Sequence, residues 1–249
     1  MKIFKEIFGR VFALWAIFVF VITMLLFLIP FFLFCYFKSD PLKTIRFVSF
    51  SRVWMDVFYF FIGSSLKANG RENFKQRETY IVACNHHSYF DVTVTSPRIP
   101  GGNKTIGKIE ISKVPVFNLI YNVGTVLVDR KSERSRSESF VKMKNVLSMG
   151  LHMCIYPEGT RNRTNEALKS FHNGAFKLAI DTGNSIIPAV IFNTGKVLPA
   201  DKTFYLWPHK ITIDFLPAVK IESTDSIESL KKKVFDIMKA HYENGTRDK

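Results

Sequence analysis

Cysteine is scarce: Cys35, Cys84 and Cys154 are the only three, an odd number at long spacings with no C-x-x-C. That excludes a disulfide framework, gives no support to a zinc site, and leaves buried free thiols in a reducing compartment. Acidic residues are also few, 21 against 35 Lys+Arg, for a formal net charge of +14. Such an excess attracts something anionic, either nucleic acid or a membrane surface. Paired Cys/His sets and aromatic-and-Gly RNA signatures are missing, so no nucleic-acid partner is expected and anionic membrane lipid takes that place. No internal repeat, low-complexity tract or inter-domain linker interrupts the chain. Its 249 residues suffice for one sizeable α/β domain plus an anchor, and are short for two full enzymatic domains.

Charge is wholly absent from Val11 to Phe37, where Thr23 is the most polar residue and Pro30 the only helix breaker. As a helix this run would reach ~40 Å, beyond the ~30 Å of a bilayer's hydrocarbon layer. It is too long for a signal-peptide core and no small-residue cleavage pattern follows, so a cleaved signal is not expected. Pro30 permits a kink, which leaves both a tilted span and a membrane-dipping hairpin open. Lys2, Lys5 and Arg10 precede the run while Lys38, Lys43 and Arg46 follow it, so flanking charge sets no orientation. From Ile45 to Ile62, helical spacing gathers Arg46, Ser49, Arg52, Asp56 and Tyr59 into one sector of about 140°. The rest of that surface is apolar. An amphipathic helix in the membrane interface fits, and a helix packed on the domain core is the alternative. Residues 1–65 therefore read as an anchoring module and 66–249 as the domain it anchors.

Beyond Gly63 short apolar runs alternate with helical patterns. Strands are expected at 80–84, 104–108, 125–128, 153–156 and 186–192, with helices at about 110–121, 133–149 and 170–182. Residues 203–219 read as two strands around Pro208-His209. A last helix carries Ile227, Leu230, Val234, Ile237 and Met238 at helical spacing, with Asp225 and Glu228 as its capping signal. The expected fold class is α/β: a mostly parallel or mixed sheet flanked by helices, preceded by an N-terminal hydrophobic helical membrane anchor.

Four stretches at strand ends or in the following loops carry candidate chemistry, where ligands of open α/β sheets collect. The first is Asn85-His86-His87-Ser88-Tyr89-Phe90-Asp91. His can take a proton near neutrality, and a carboxylate can fix its tautomer. Five residues on one helix separate His86 and Asp91 by about 140°, so they meet only if His86 sits in the loop and Asp91 in the first helical turn. A capping or satisfied buried histidine is the plainer alternative for His86, and His87 reads as structural or substrate-lining. Cys84, two residues earlier, could suggest a thiol nucleophile, but nothing else supports one. The second and third stretches, Gly124 to Arg130 and Tyr156-Pro157-Glu158-Gly159-Thr160-Arg161, each set an Arg beside a glycine turn. Arg130 and Arg161 are candidates for clamping one phosphate, with Glu158 orienting an arginine or a substrate hydroxyl. Surface Arg–Glu pairs are the plainer alternative. The fourth, Ile186-Ile187-Pro188-Ala189-Val190, holds no reactive side chain and would shape a pocket wall.

In this order the four stretches resemble the glycerolipid acyltransferase family, the group that contains 1-acylglycerol-3-phosphate acyltransferases. Asn85-His86 with Asp91 matches its Asn-His-x4-Asp signature. Gly124 to Arg130, Tyr156 to Arg161 and Pro188 match its later blocks, over about residues 80–195. The resemblance implies His86 as general base with Asp91 orienting it, and Arg130, Glu158, Gly159, Thr160 and Arg161 as the glycerol-phosphate site. Asn85, Lys108, Glu110, Pro115 and Pro188 would border the substrate and acyl pocket. The acceptor hydroxyl would attack an acyl thioester directly, with no cofactor beyond the co-substrate, acyl-coenzyme A or acyl carrier protein. The likeness also implies a place at the inner cell membrane with the catalytic domain on the cytoplasmic face. Tyr156 stands where the family has Phe, Asn118 where Gly is frequent, and Asn162 where Ser is frequent. The expected reaction converts 1-acyl-glycerol 3-phosphate to phosphatidic acid. Another acceptor (glycerol 3-phosphate or a lyso-amino-acid lipid) is one alternative, and a non-enzymatic basic lipid-binding protein is the other.

Overall fold

The computed structural model describes residues 2–164, 166–202 and 204–247. Two antiparallel N-terminal helices, α1 (Lys2–Phe31) and α2 (Leu42–Phe61), precede a seven-stranded sheet. Its strands are β1 (Ser65–Asn69), β2 (Ile81–Cys84), β3 (Asn103–Lys108), β4 (Thr125–Val128), β5 (His152–Ile155), β6 (Ile186–Phe192) and β7 (Lys210–Phe215). Their spatial order is β1-β7-β6-β2-β5-β3-β4, parallel throughout except that β7 runs antiparallel to β6. Helices α3 (Asp91–Arg98), α4 (Phe117–Gly124), α5 (Glu133–Ser148), α6 (Gly174–Thr182), α7 (Thr194–Val197) and α8 (Ile227–Arg247) connect or follow them.

The continuous apolar runs arise because both faces of the central strands are covered. In β6, Ile187, Ala189 and Ile191 join the core under α1 and α2, while Ile186, Val190 and Phe192 join the core under α5, α6 and α8. The N-terminal helices thus share a core with one face of the sheet. Ala13, Ala16, Val19, Met24, Phe27 and Phe31 form the buried stripe of α1, and Thr23 Oγ1 accepts Trp54 Nε1–H at 2.9 Å. The opposite stripe of α1 is apolar and exposed, from Phe4 through Leu14, Phe18 and Leu26 to Ile29. The N-terminal end of α1 and the turn that follows the helix are each tied to a neighbour. Leu206 N–H donates to Gly9 C=O at 3.0 Å, and Arg46 Nη1 donates to Phe34 C=O at 3.0 Å. Tyr205 packs so tightly on Gly9 that a Cβ there would lie 2.2 Å from its ring.

Several expectations change in detail. The polar sector of residues 45–62 docks on the domain: Tyr59 is buried with its hydroxyl 2.7 Å from Thr93 Oγ1, and Arg52 Nε donates to Pro97 C=O at 2.8 Å. The helix expected over 110–121 breaks into a 3-10 turn (Ile111–Lys113) and α4, because Pro115 disfavours helix at Val114, which is extended. Val116 then takes a left-handed φ of 66°. Of the two strands expected in 203–219, only β7 forms. Residues 204–207 instead strap the N-terminal end of α1, and Thr203 lies outside the described residues. The cap of α8 lies one residue later than expected: the amides of Ser226 and Ser229 each donate to the other's Oγ, both at 3.0 Å.

Candidate active site

β2 delivers the chain to His86. Asn85, just before it, is fully buried and pairs with Ile191 of β6: Oδ1 accepts the amide at 2.7 Å and Nδ2 donates to the carbonyl at 2.9 Å. The side chain thus supplies one more rung of the ladder after the backbone has turned away. His86 lies in the loop and Asp91 opens α3, the break that lets them meet. His86 Nδ1 and Asp91 Oδ2 are 2.7 Å apart, and the same oxygen accepts the amides of His87 and Ser88, each at 2.8 Å. An ionised carboxylate only accepts, so Nδ1 carries the proton and Nε2 is left as the free acceptor.

The surroundings hold this loop. Tyr156 stacks on His86, ring centroids 4.5 Å apart at 30°. Glu158 is buried and its two oxygens accept the amides of His86 (2.8 Å) and Lys169 (3.0 Å). Burial pushes its carboxyl pKa up, against those two amides. His87 turns away: its Nδ1 is 3.0 Å from Asn85 Nδ2, its ring stacks on Tyr242, and burial lowers its pKa. Cys84 is fully buried, 3.8 Å from Cys154 Sγ, and burial raises its thiol pKa, the reverse of what a thiolate nucleophile needs.

His86 sits on the wall of a cavity of about 760 Å³, within the range of roughly 300–1,000 Å³ usual for ligand pockets. One end is cationic, with Lys108, Arg130, Arg161, Arg163 and Lys169. Arg130 Nη1 donates to Gly159 C=O at 2.5 Å, Lys169 Nζ to Thr160 Oγ1 at 2.8 Å, and the Arg161 guanidinium lies 3.6 Å from the Tyr89 ring centroid. Gly159 adopts φ 69°, where a Cβ would meet the His172 ring at 2.6 Å. The remainder is apolar, walled by Phe47, Trp54 and Met55 of α2 and by Phe117 and Ile120 of α4, with Phe20 of α1.

The structure therefore brings His86, Arg130, Gly159, Thr160, Arg161 and Lys108 to one cavity, with Asp91 directly behind His86. Others sit elsewhere. Asn85 completes the sheet, Pro188 is buried within β6 beside Ala83, and Glu110 and Pro115 are exposed; none of the four lines the cavity. Glu158 acts on backbone amides rather than on an arginine. Sequence reasoning passed over Lys169, Arg163 and the α2 wall, which no local motif marks because folding alone brings them to His86, and it met Tyr156 as a motif position without giving its ring a role. Among the described residues no group of three or more His, Cys, Asp or Glu could hold a metal ion. An imidazole with a free Nε2, between cationic donors and an apolar cavity, can take the proton of a hydroxyl on an amphiphile whose anionic end is held at the mouth.

A family model described as Acyltransferase matches residues 65–192, just over half of the chain and every residue of this cluster from His86 to Lys169. The chain belongs to the Acyltransferase family. This acyltransferase-family chain is 31% identical to a putative 1-acyl-sn-glycerol-3-phosphate acyltransferase of Caenorhabditis elegans, over 73% of itself and 70% of that protein. It is 29% identical to the 1-acyl-sn-glycerol-3-phosphate acyltransferase of Borreliella burgdorferi, over 57% of each chain, and 31% identical to that of Cocos nucifera, over 65% of itself and 52% of that protein. It thus spans between about half and 70% of the length of these relatives. Its fold is that of the 1-acyl-sn-glycerophosphate acyltransferase of Thermotoga maritima, with a TM-score of 0.79 at 21% identity over 99% and 98% of the two chains.

Proposed function

We propose that this chain transfers a fatty acyl group from an acyl thioester to the free hydroxyl of 1-acyl-glycerol 3-phosphate, giving phosphatidic acid. The observation that carries the reading is the His86–Asp91 pair on the wall of one cavity that is cationic at one end and apolar at the other. The acceptor phosphate would rest on Arg130 and Arg161, and the donor's acyl chain among the apolar walls. His86 Nε2 takes the hydroxyl proton as the oxygen attacks the thioester carbonyl. The tetrahedral intermediate then collapses, the C–S bond breaks, and the thiolate leaves with the proton from the imidazolium. Asp91 holds the imidazole tautomer and stabilises the cation formed in between. The thioester is that of coenzyme A or of acyl carrier protein, and the cationic mouth suits the phosphate that both carry.

Residues 1–65 act in this reading as the membrane anchor and 66–249 as the catalytic part. α1 and the following turn reach a mean hydropathy of 3.0, yet the N-terminal end of α1 is tied to the domain through Gly9 and Leu206, and the turn after α1 is tied to α2 through Phe34 and Arg46. That supports a helix lying along the membrane surface with its exposed apolar stripe in lipid, a hairpin rather than a span. Anionic lipid at the inner membrane's cytoplasmic face suits the +14 charge.

The test is acyl transfer by the purified protein in liposomes, comparing wild type with His86→Ala. Loss of the base should cost at least ~10²-fold in kcat; an unchanged rate overturns the mechanism.

A further inference from the structure

Tyr156 touches His86 with its ring and reaches the backbone of Asp91 through Thr95 with its hydroxyl. Its ring lies against the imidazole at 4.5 Å and 30°. Its hydroxyl is 2.7 Å from Thr95 Oγ1, and Thr95 Oγ1 donates to Asp91 C=O at 3.0 Å. A hydroxyl has one hydrogen, and that of Thr95 is committed to a carbonyl, which can only accept. The hydrogen between Tyr156 and Thr95 therefore comes from the tyrosine. A one-way relay results, Tyr156 O–H to Thr95 O–H to Asp91 C=O, ending on the first turn of α3 from which Asp91 reaches Nδ1.

We propose that Tyr156 is a positioning residue for this pair, through its hydroxyl as well as its ring. The ring sets the plane of the imidazole, and the tether fixes the α3 turn that presents Asp91. Together they keep Nδ1 on Asp91 Oδ2 and leave Nε2 directed to the cavity. Burial holds the phenol well above its ordinary pKa, so it stays a neutral donor. Phenylalanine would supply the wall and leave the tether out. The kinetic part of this inference rests on the acyl-transfer reading; the positioning part does not.

Two variants remove the relay from opposite ends at constant shape: Tyr156→Phe and Thr95→Val. Each is expected to lower kcat about tenfold, as small misplacements of a catalytic group do, with KM for acceptor and donor within about twofold. The double variant should be no slower than either single one, because both break the same chain. The second readout needs no turnover: titration of His86 by NMR of 13Cε1-labelled histidine in the folded full-length protein. A looser Asp91 stabilises the imidazolium less, so the midpoint moves to lower pH in both variants. Wild-type kcat with an unmoved midpoint in folded Tyr156→Phe overturns the inference, as do multiplying effects in the double variant. If wild type transfers no acyl group, the functional reading fails while the titration still decides the tether.

Discussion

The carboxylate of Glu158 accepts the backbone amide of His86 at 2.8 Å and, through its second oxygen, that of Lys169 at 3.0 Å. It thereby joins the loop of the candidate base to the loop that carries Arg161, through backbone amides. Glu158→Gln keeps the size but sets an NH2 against one of the two amide donors. Leaving a buried donor unpaired costs about 1–3 kcal/mol. Denaturant unfolding should show that loss, and kcat should fall with it because the His86 backbone is released. A variant as stable and as active as wild type would remove Glu158 from any supporting role.

Arg161 is the more available of the two arginines, since Arg130 is already spent on Gly159 C=O while Arg161 rests on the Tyr89 face. Charge-assisted hydrogen bonds to phosphate are worth roughly 1.5–3 kcal/mol. Arg161→Ala should therefore raise KM for 1-acyl-glycerol 3-phosphate about 10- to 100-fold, with a smaller effect on kcat. A monoacylglycerol acceptor, lacking the phosphate, should be used equally by both proteins. Equal losses on the two acceptors would show that Arg161 serves the fold rather than the phosphate.

Strand runs were legible where both sheet faces bury apolar side chains, as in β6, and the break between His86 and Asp91 followed from helical geometry alone. β1 escaped notice because Ser65-Leu66-Lys67-Ala68-Asn69 is an edge strand with only two apolar residues. The cationic mouth was half legible: the glycine turn at Gly159 marks Arg161 and the end of β4 marks Arg130, where Gly124 closes α4 and makes no turn, whereas Lys169 and Arg163 arrive by the fold of a loop. Asn85 and Glu158 were chemically conspicuous but misplaced, since a sequence does not say whether a polar group faces substrate or a backbone amide. For α2, periodicity shows one polar sector, and only the packing reveals that this sector meets α3 while apolar side chains face both inward and outward.

That outward face gives a third prediction. Val53 and Phe60 of α2 are 63% and 77% exposed, and α1 also bares an apolar stripe. Burying such a side chain in lipid is worth about 1.5–3 kcal/mol. The pair Val53→Asp and Phe60→Asp should leave thermal stability unchanged and weaken co-sedimentation with anionic vesicles by tenfold or more. Raised salt should weaken binding of both proteins, as the basic surface contributes through screened attraction. Undiminished vesicle binding by the double variant would place the lipid contact on another face.

His152, on β5 and far in role from His86, contributes to the acid response of the fold. Its Nδ1 accepts the Tyr80 amide at 3.0 Å, its ring stacks on Tyr80 and meets Phe74 edge-to-face, and burial lowers its pKa from 6.5 to about 4. Between those values the unfolded chain binds a proton that the folded chain refuses, so stability rises with pH through this window and is flat above it. A tenfold difference in proton affinity between the two states corresponds to about 1.4 kcal/mol, which makes about 3 kcal/mol the most that this one group can withdraw between pH 7 and pH 4. His152→Asn keeps an acceptor near the position of Nδ1 and cannot titrate. It should be less stable than wild type at pH 7 yet lose less on acidification, so that unfolding free energies of the two proteins converge toward pH 4. Parallel pH profiles would mean that His152 is protonated in the folded state and that the Tyr80 amide has another acceptor.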